Sequence, residues 1–131
     1  MIRTYDSGYR GECRTERCEQ IDCASWLQFN HPDRWPLIFH TPNEAKAKAQ
    51  YMQMRTKEGV KAGVPDLIDL GGVVGLFELK RLDRTKSKVS TEQKAFLQDS
   101  ADAGHFAAIC YGFEQFKLAY ADYLIFVKNN S

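Results

Sequence analysis

The residues best suited to chemistry lie in KAGVPDLIDLGGVVGLFELKR, residues 61–81. PDLIDL and VVGLFELK are rich in β-formers, and Gly71 and Gly72 stand between them, which predicts a hairpin. Side chains alternate along a strand, so Glu78 and Lys80 share one face while Phe77 and Leu79 take the other. With the turn over residues 71–73, Asp66 falls opposite Glu78. Two carboxylates side by side are unfavourable unless something neutralises them. A divalent cation does so, and Mg²⁺, with Mn²⁺ as a substitute, takes one or two carboxylates plus waters and a phosphate. Lys80 would face the same site, either orienting or activating a water or balancing the negative charge of a pentavalent phosphate. Both roles suit metal-assisted phosphodiester hydrolysis. A lone Glu-x-Lys on a solvated strand is ordinarily an ion pair. Apolar flanks and a Pro-Asp at hairpin distance favour the catalytic reading.

The elements that must position these groups follow from caps and breakers. Residues 1–14 read as a loose lead-in. TERCEQIDCASWLQF, 15–29, reads as a helix with Thr15 as cap and acids in its first turn, and Asn30, Pro32 and Pro36 end it. LIFH, 37–40, is a short strand. A second helix starts after TPN with Asn43 as cap and ends at Gly59 or Gly63. After the hairpin, RLDRTKSKV is a charged loop. STEQKAFLQDSADAG is a helix with Ser90 and Gln93 in capping-box spacing and Gly104 as the stop. HFAAICYG is a buried strand, and FEQFKLAYADYLIFV is an amphipathic helix whose end leans toward strand. The order α-β-α-β-β-α-β-α predicts one α/β or α+β domain over residues 15–131, with a small mixed sheet flanked by helices.

The totals bound the reading. A chain of 131 residues with 44% hydrophobic and 27% charged residues suits one globular domain. No apolar run reaches membrane-spanning length, and MIRTYDSGYRGECR has no apolar core of a secretory signal, so a cytoplasmic protein is expected. A net charge of +1 excludes a broadly basic nucleic-acid binder, so any phosphate contact must come from local clusters. Lys46, Lys48, Arg55, Lys57 and Lys61 form one, and Lys80, Arg81, Arg84, Lys86 and Lys88 a denser one containing Asp83 alone as an acid. Cys13, Cys18, Cys23 and Cys110 include no C-x-x-C pair. Residues five apart on a helix do not share a face, so a thiol-metal module around the first three is a rival reading with poor spacing.

VPD followed by ELK resembles the PD-(D/E)XK nuclease motif, and the surrounding segments resemble the virus-type replication-repair nuclease (VRR-NUC) domain. The segments are TERCEQ (15–20), IFHTPNE (38–44), KEGVKAGVPDLIDL (57–70), GLFELKR (75–81), STEQKAFL (90–97) and AGHFAAICYGFEQ (103–115). The resemblance implies a restriction-endonuclease-like core and a Mg²⁺-dependent, structure-selective DNA endonuclease. It also implies branched substrates such as Holliday junctions, a homodimer, a phage or bacterial setting, and no organic cofactor. It makes Asp66 and Glu78 metal carboxylates, Lys80 the catalytic lysine, Glu16 the assisting first-helix acid and Gln93 the glutamine beyond the sheet. Gln20 lies one turn from Glu16 on the same face, which favours Glu16 over Glu19 for that role. Glu44 is either a first-turn helix acid or an extra contributor, and Asp69 has the opposite parity to Asp66. His40 and Tyr111 end strands near the site. Trp26, Trp35, Phe113, Phe116, Tyr120 and Tyr123 furnish either a dimer surface or core. Lys61, Arg81, Arg84, Lys86 and Lys88 are expected to hold the phosphate backbone, with weak sequence preference and strong salt sensitivity. The rival within the same fold is a catalytically inactive DNA-binding or interaction module.

Overall fold

The computed structural model describes residues 1–42 and 49–130, with the backbone alone described for 49–52. A five-stranded mixed sheet runs in the order β1-β5-β4-β3-β2. β1 (Arg3–Tyr5), β5 (Phe106–Tyr111) and β4 (Gly75–Lys80) are mutually parallel, while β3 (Leu67–Asp69) and β2 (Ile38–His40) complete an antiparallel meander from β4. Helices α1 (Glu16–Asn30) and α4 (Phe113–Asn129) cover one face, α3 (Thr91–Asp102) covers the other, and α2 spans Ala49–Lys57. The α/β class and the flanked mixed sheet are as expected. The Asn43 cap, Glu44, Lys46 and Lys48 lie outside the described residues.

Residues 1–14 were expected to be a loose lead-in, and the structure corrects this. Arg3–Tyr5 is an edge strand in register with Ala108–Cys110, and the Tyr5 hydroxyl donates to Asp122 of α4 at 2.7 Å. Three residues with polar Arg3 and Thr4 carry no strand periodicity; the partner is a strand a hundred residues away. The last helix also differs from expectation, remaining helical to Asn129 despite its β-branched end.

Local chemistry sets the helix limits. Thr15 Oγ1 accepts from Cys18 N–H, with Glu16 and Glu19 in the first turn of α1. α4 begins at Gly112 with no side-chain cap of its own. Its first N–H, at Phe113, donates instead to Glu19 Oε2 at 3.1 Å, and the same carboxylate receives the Arg14 guanidinium at 2.7 Å. Glu19 is therefore a buried remote cap joining α1 to α4. Glu19→Ala should lower stability by roughly 2–3 kcal/mol, since it removes charge-assisted bonds and orphans a buried N–H. Urea unfolding checks this, and an unchanged midpoint would show the cap to be idle.

The face under α1 and α4 is the main core. Phe77 packs against Phe106, Phe116, Tyr120 and Tyr123 with ring centroids 5.2–5.8 Å apart. Of the aromatics that were open between dimer surface and core, Phe116, Tyr120 and Tyr123 are fully buried, and Trp26, Trp35 and Phe113 pack on them. They build the interior. On the opposite face Leu76, Ala107, Ile109 and Tyr111 meet Leu97 of α3.

The hairpin obeys the predicted parity. Leu67 pairs with Phe77 and both enter the α1/α4 core, as does Leu79. Asp69 lies on that same buried face, turned away from Asp66 as expected, in an ion pair with Arg34 at 3.0 Å. The Arg34 guanidinium lies 2.5 Å from where a Cβ on Gly71 would stand, so a larger residue there would have to displace it from its present place against Asp69. Neighbouring Gly72, at φ +115°, turns the chain back toward β4.

Candidate active site

Extending the Leu67–Phe77 register by one step places Asp66 across from Glu78, at the end of the sheet where α1 begins. Asp66 Oδ2 accepts the Leu79 N–H at 2.8 Å, which locks its carboxylate onto β4. Glu78 is 3% exposed, and Gln93 Nε2 donates to its Oε1 at 2.9 Å. Its second oxygen, Oε2, is buried without a protein partner. Burial first, and the neighbouring Asp66 charge second, push the Glu78 carboxyl up to about 9, against the opposing pull of Lys80.

Lys80 is 6% exposed and sits among oxygens. Its ammonium donates to the Lys88 carbonyl at 2.9 Å and to Gln93 Oε1 at 3.3 Å. Glu16 Oε1 at 3.6 Å and Glu78 Oε1 at 3.7 Å complete its shell. Gln93 was open between cap and site, and it does both. Its backbone N–H and side-chain oxygen close the capping box with Ser90, while its amide nitrogen holds Glu78. The start of α3 and the end of β4 are thereby registered to each other.

Glu16 projects from the first turn of α1 and is half exposed at the mouth of the site. Of the two first-turn acids, Glu19 bonds Arg14 and Phe113, whereas Glu16 reaches Lys80. An open cleft of about 300 Å³ separates α1 from the hairpin, lined by Glu16, Arg17, Gln20, His40, Asp66 and Leu79. Gln20 Oε1 is buried there with no partner, and His40 Nδ1 lies 2.8 Å from the Asp66 carbonyl.

Glu16, Asp66, Glu78, Lys80 and Gln93 are thus brought together from α1, β3, β4 and α3. The residues fit a hard divalent cation in part. Two adjacent carboxylates and an orphaned buried Glu78 oxygen are what such an ion takes. Among the described residues no three Asp, Glu, His or Cys side chains converge into a ready cage, and Glu16 leans on Lys80 instead. All four cysteines are free, with Cys23 and Cys110 in the core.

The cations distribute unevenly. Lys61, Lys86 and Lys88 are exposed. Arg84 is half exposed, pairs with Asp6 at 3.5 Å and lies 5.3 Å above the Tyr111 ring. Arg81 is engaged within the protein, its guanidinium donating to the Cys13 and Arg14 carbonyls at 2.8 and 3.0 Å. Asp83, the lone acid of that cluster, accepts from Gly11 N–H and from the Thr85 N–H and hydroxyl. These bonds hold its carboxyl well below the usual range. Arg81 and Asp83 therefore fasten residues 11–14 beside the site, a role hidden while that segment read as loose.

The Glu78 environment has a consequence for stability. In the unfolded chain the carboxyl loses its proton near 4.5, and in the folded protein near 9. Between these values the unfolded state binds fewer protons, so rising pH favours unfolding. In chelator, the thermal midpoint should fall as pH rises from about 5 to 9, and Glu78→Gln should flatten that slope. An identical slope in the variant would place the proton elsewhere.

No family model matches the chain, and no curated protein matches it. Among solved structures, a "VRR_NUC domain protein" is similar with a TM-score of 0.71 and 23% identity, over 88% of this chain and 92% of that one. The mixed sheet, its flanking helices and the hairpin that carries Asp66 and Glu78 thus belong to a chain that has the fold of a VRR-NUC domain.

Proposed function

We propose that this protein is a divalent-metal-dependent DNA endonuclease selective for branched DNA such as four-way junctions. The observation that carries the reading is the convergence of Asp66, Glu78, Lys80, Gln93 and Glu16, with a Glu78 oxygen buried and unpartnered. Asp66 and Glu78, with Glu16 at the mouth, would hold Mg²⁺ or Mn²⁺, which supplies Lewis-acid polarisation of a phosphate and a more acidic water. Lys80 presents its ammonium where negative charge grows on the phosphate, already oriented by the Lys88 carbonyl and Gln93. Gln93 holds the Glu78 carboxylate in its rotamer. The basic segment leaving β4 grips backbone phosphates, so affinity should fall steeply with salt and vary little with sequence.

A homodimer matches the symmetry of a junction, which needs one cut on each side. Ile21 and Phe29 on α1 and Leu118 and Ile125 on α4 are exposed apolar residues on the two adjacent helices and support such an interface.

The test is cleavage of labelled junctions, flaps and linear duplexes with Mg²⁺ or Mn²⁺, with and without EDTA. Metal-dependent cutting that favours branched DNA is expected. No cutting of any of these DNAs would leave the inactive binding module as the function. Sedimentation of the free protein reads the dimer, and a monomer with a junction bound would remove that part of the reading.

A further inference from the structure

Beside the catalytic lysine, on the α3 side of the sheet, lies a second groove of about 370 Å³. Its walls include Arg84, Lys88 and Lys94, and its floor includes Ile2, Ile109 and Tyr111. Tyr111 is the register partner of Lys80 on the neighbouring strand, and Lys88 lends Lys80 its carbonyl. With strands ~4.8 Å apart, the groove opens ~5–10 Å from the Lys80 position, within one to three nucleotide steps along a DNA strand.

Two features separate this groove from a plain cationic face. The first is charge. Asp6 pairs with Arg84, but no salt bridge engages Lys88 or Lys94 among the described residues. The second is the floor, where Ile2 and the edges of the buried Ile109 and Tyr111 line the groove between the cations. Duplex phosphates need only exposed cations, whereas a base needs somewhere to shed water. The Arg84 guanidinium covers the Tyr111 ring with one face and is half exposed. Guanidinium planes, like aromatic rings, stack unpaired bases. The volume lies within the range of pockets that enclose small ligands, ~300–1,000 Å³.

We propose that this groove holds an unpaired nucleotide of the bound DNA, its phosphate on Lys88 and Lys94 and its base against Arg84 and the apolar floor. The proposal rests on the nuclease reading and gives it a source of structure selectivity. A strand that leaves a duplex at a branch can turn its base into the groove, and a paired base cannot.

The test is binding in EDTA, where no cutting occurs. Fluorescence anisotropy would compare a blunt duplex with the same duplex carrying a short single-stranded extension. Lys94→Ala should weaken binding of the extended DNA about ten-fold, the scale of one lost phosphate contact, and that of blunt duplex less than about two-fold, while Arg84→Ala, which also removes a backbone cation, should weaken both DNAs but the extended one more. Lys94 is exposed on α3, so its truncation spares the fold, and an unchanged thermal midpoint verifies this. Independently, a photoreactive uracil in the extension should crosslink within residues 2–4 or 84–94. Equal losses on both DNAs, no loss on either, or crosslinks lying wholly elsewhere would overturn the groove. Absence of cleavage with the extension preference intact would instead overturn the nuclease reading and leave the groove standing.

Discussion

Glu78→Gln should cut DNA at least ~1,000-fold more slowly than the parent while melting at or above the parent temperature in chelator at pH 8. The two halves of that expectation have one cause. Glu78 is buried beside Asp66, with one oxygen on Gln93 and the other bare. As an anion it is costly to keep there. A glutamine has the same shape, still accepts from Gln93, and can turn its amide toward the Asp66 carboxylate. The fold loses nothing and no longer has to take up the proton that Glu78, held up to about 9, binds at pH 8 and the unfolded chain has shed. On the proposed reading, catalysis would lose a metal carboxylate, and with it several kcal/mol of transition-state stabilisation, which at 1.36 kcal/mol per decade is ~10³ or more. A structural ion pair with Lys80 gives the reverse pattern, a less stable protein without a specific catalytic defect. Single-turnover cleavage with excess Mg²⁺, beside a melting curve in EDTA, separates the two. Near-parental cutting would end the assignment of Glu78 to the site.

The hairpin was legible in the sequence because every signal for it is local. Strand parity assigns Leu67, Phe77 and Leu79 to the core and Asp66, Glu78 and Lys80 to the other face, and the observed register agrees. The Ser90–Gln93 box was equally local. What it left open was whether Gln93 also serves the site, and that depends on a strand fifteen residues upstream. Glu16 and Glu19 are near neighbours on one turn, and only the position of α4, ninety-four residues from Glu19, tells them apart. The lead-in was misread for the same reason: Arg3–Tyr5 is a strand by virtue of β5 and not of its own composition. With β1 unread, the groove whose floor begins at Ile2 is out of sight, as are the bonds from Arg81 to the carbonyls of residues 13 and 14. The resemblance reached Asp66, Glu78, Lys80, Gln93 and Glu16 because they sit within short motifs. It carried no information on where the surrounding cations spend their hydrogen bonds.

Asp69→Ala should cost roughly 3–5 kcal/mol, the largest loss of stability expected from a single substitution here. Asp69 is 1% exposed and accepts from Arg34, from the Tyr120 hydroxyl at 2.6 Å and from the Gly71 N–H at 2.8 Å. Arg34 in turn donates to the Gly71 carbonyl at 2.9 Å and to the Tyr120 and Tyr123 hydroxyls. Burial, followed by the bond to Asp69, holds the Tyr120 phenol well above its usual range, so it remains a donor. Truncating Asp69 leaves a guanidinium and a phenol facing a hole. A buried pair is nevertheless poor evidence of net stabilisation, because both charges were taken from water. Asp69→Leu combined with Arg34→Met should therefore recover much of what Asp69→Ala loses, and the two effects should not add. For a chain of this size the single variant should melt roughly 10–15 °C lower. Its cleavage rate below the transition should stay near the parent's, since Asp69 faces away from Asp66 and Glu78. If the rate collapsed while the fold was intact, the Arg34–Asp69 pair would be setting the angle of the hairpin that brings the two carboxylates together. That would make it a positioning element of the site, and Asp69→Leu with Arg34→Met would then restore stability without restoring activity.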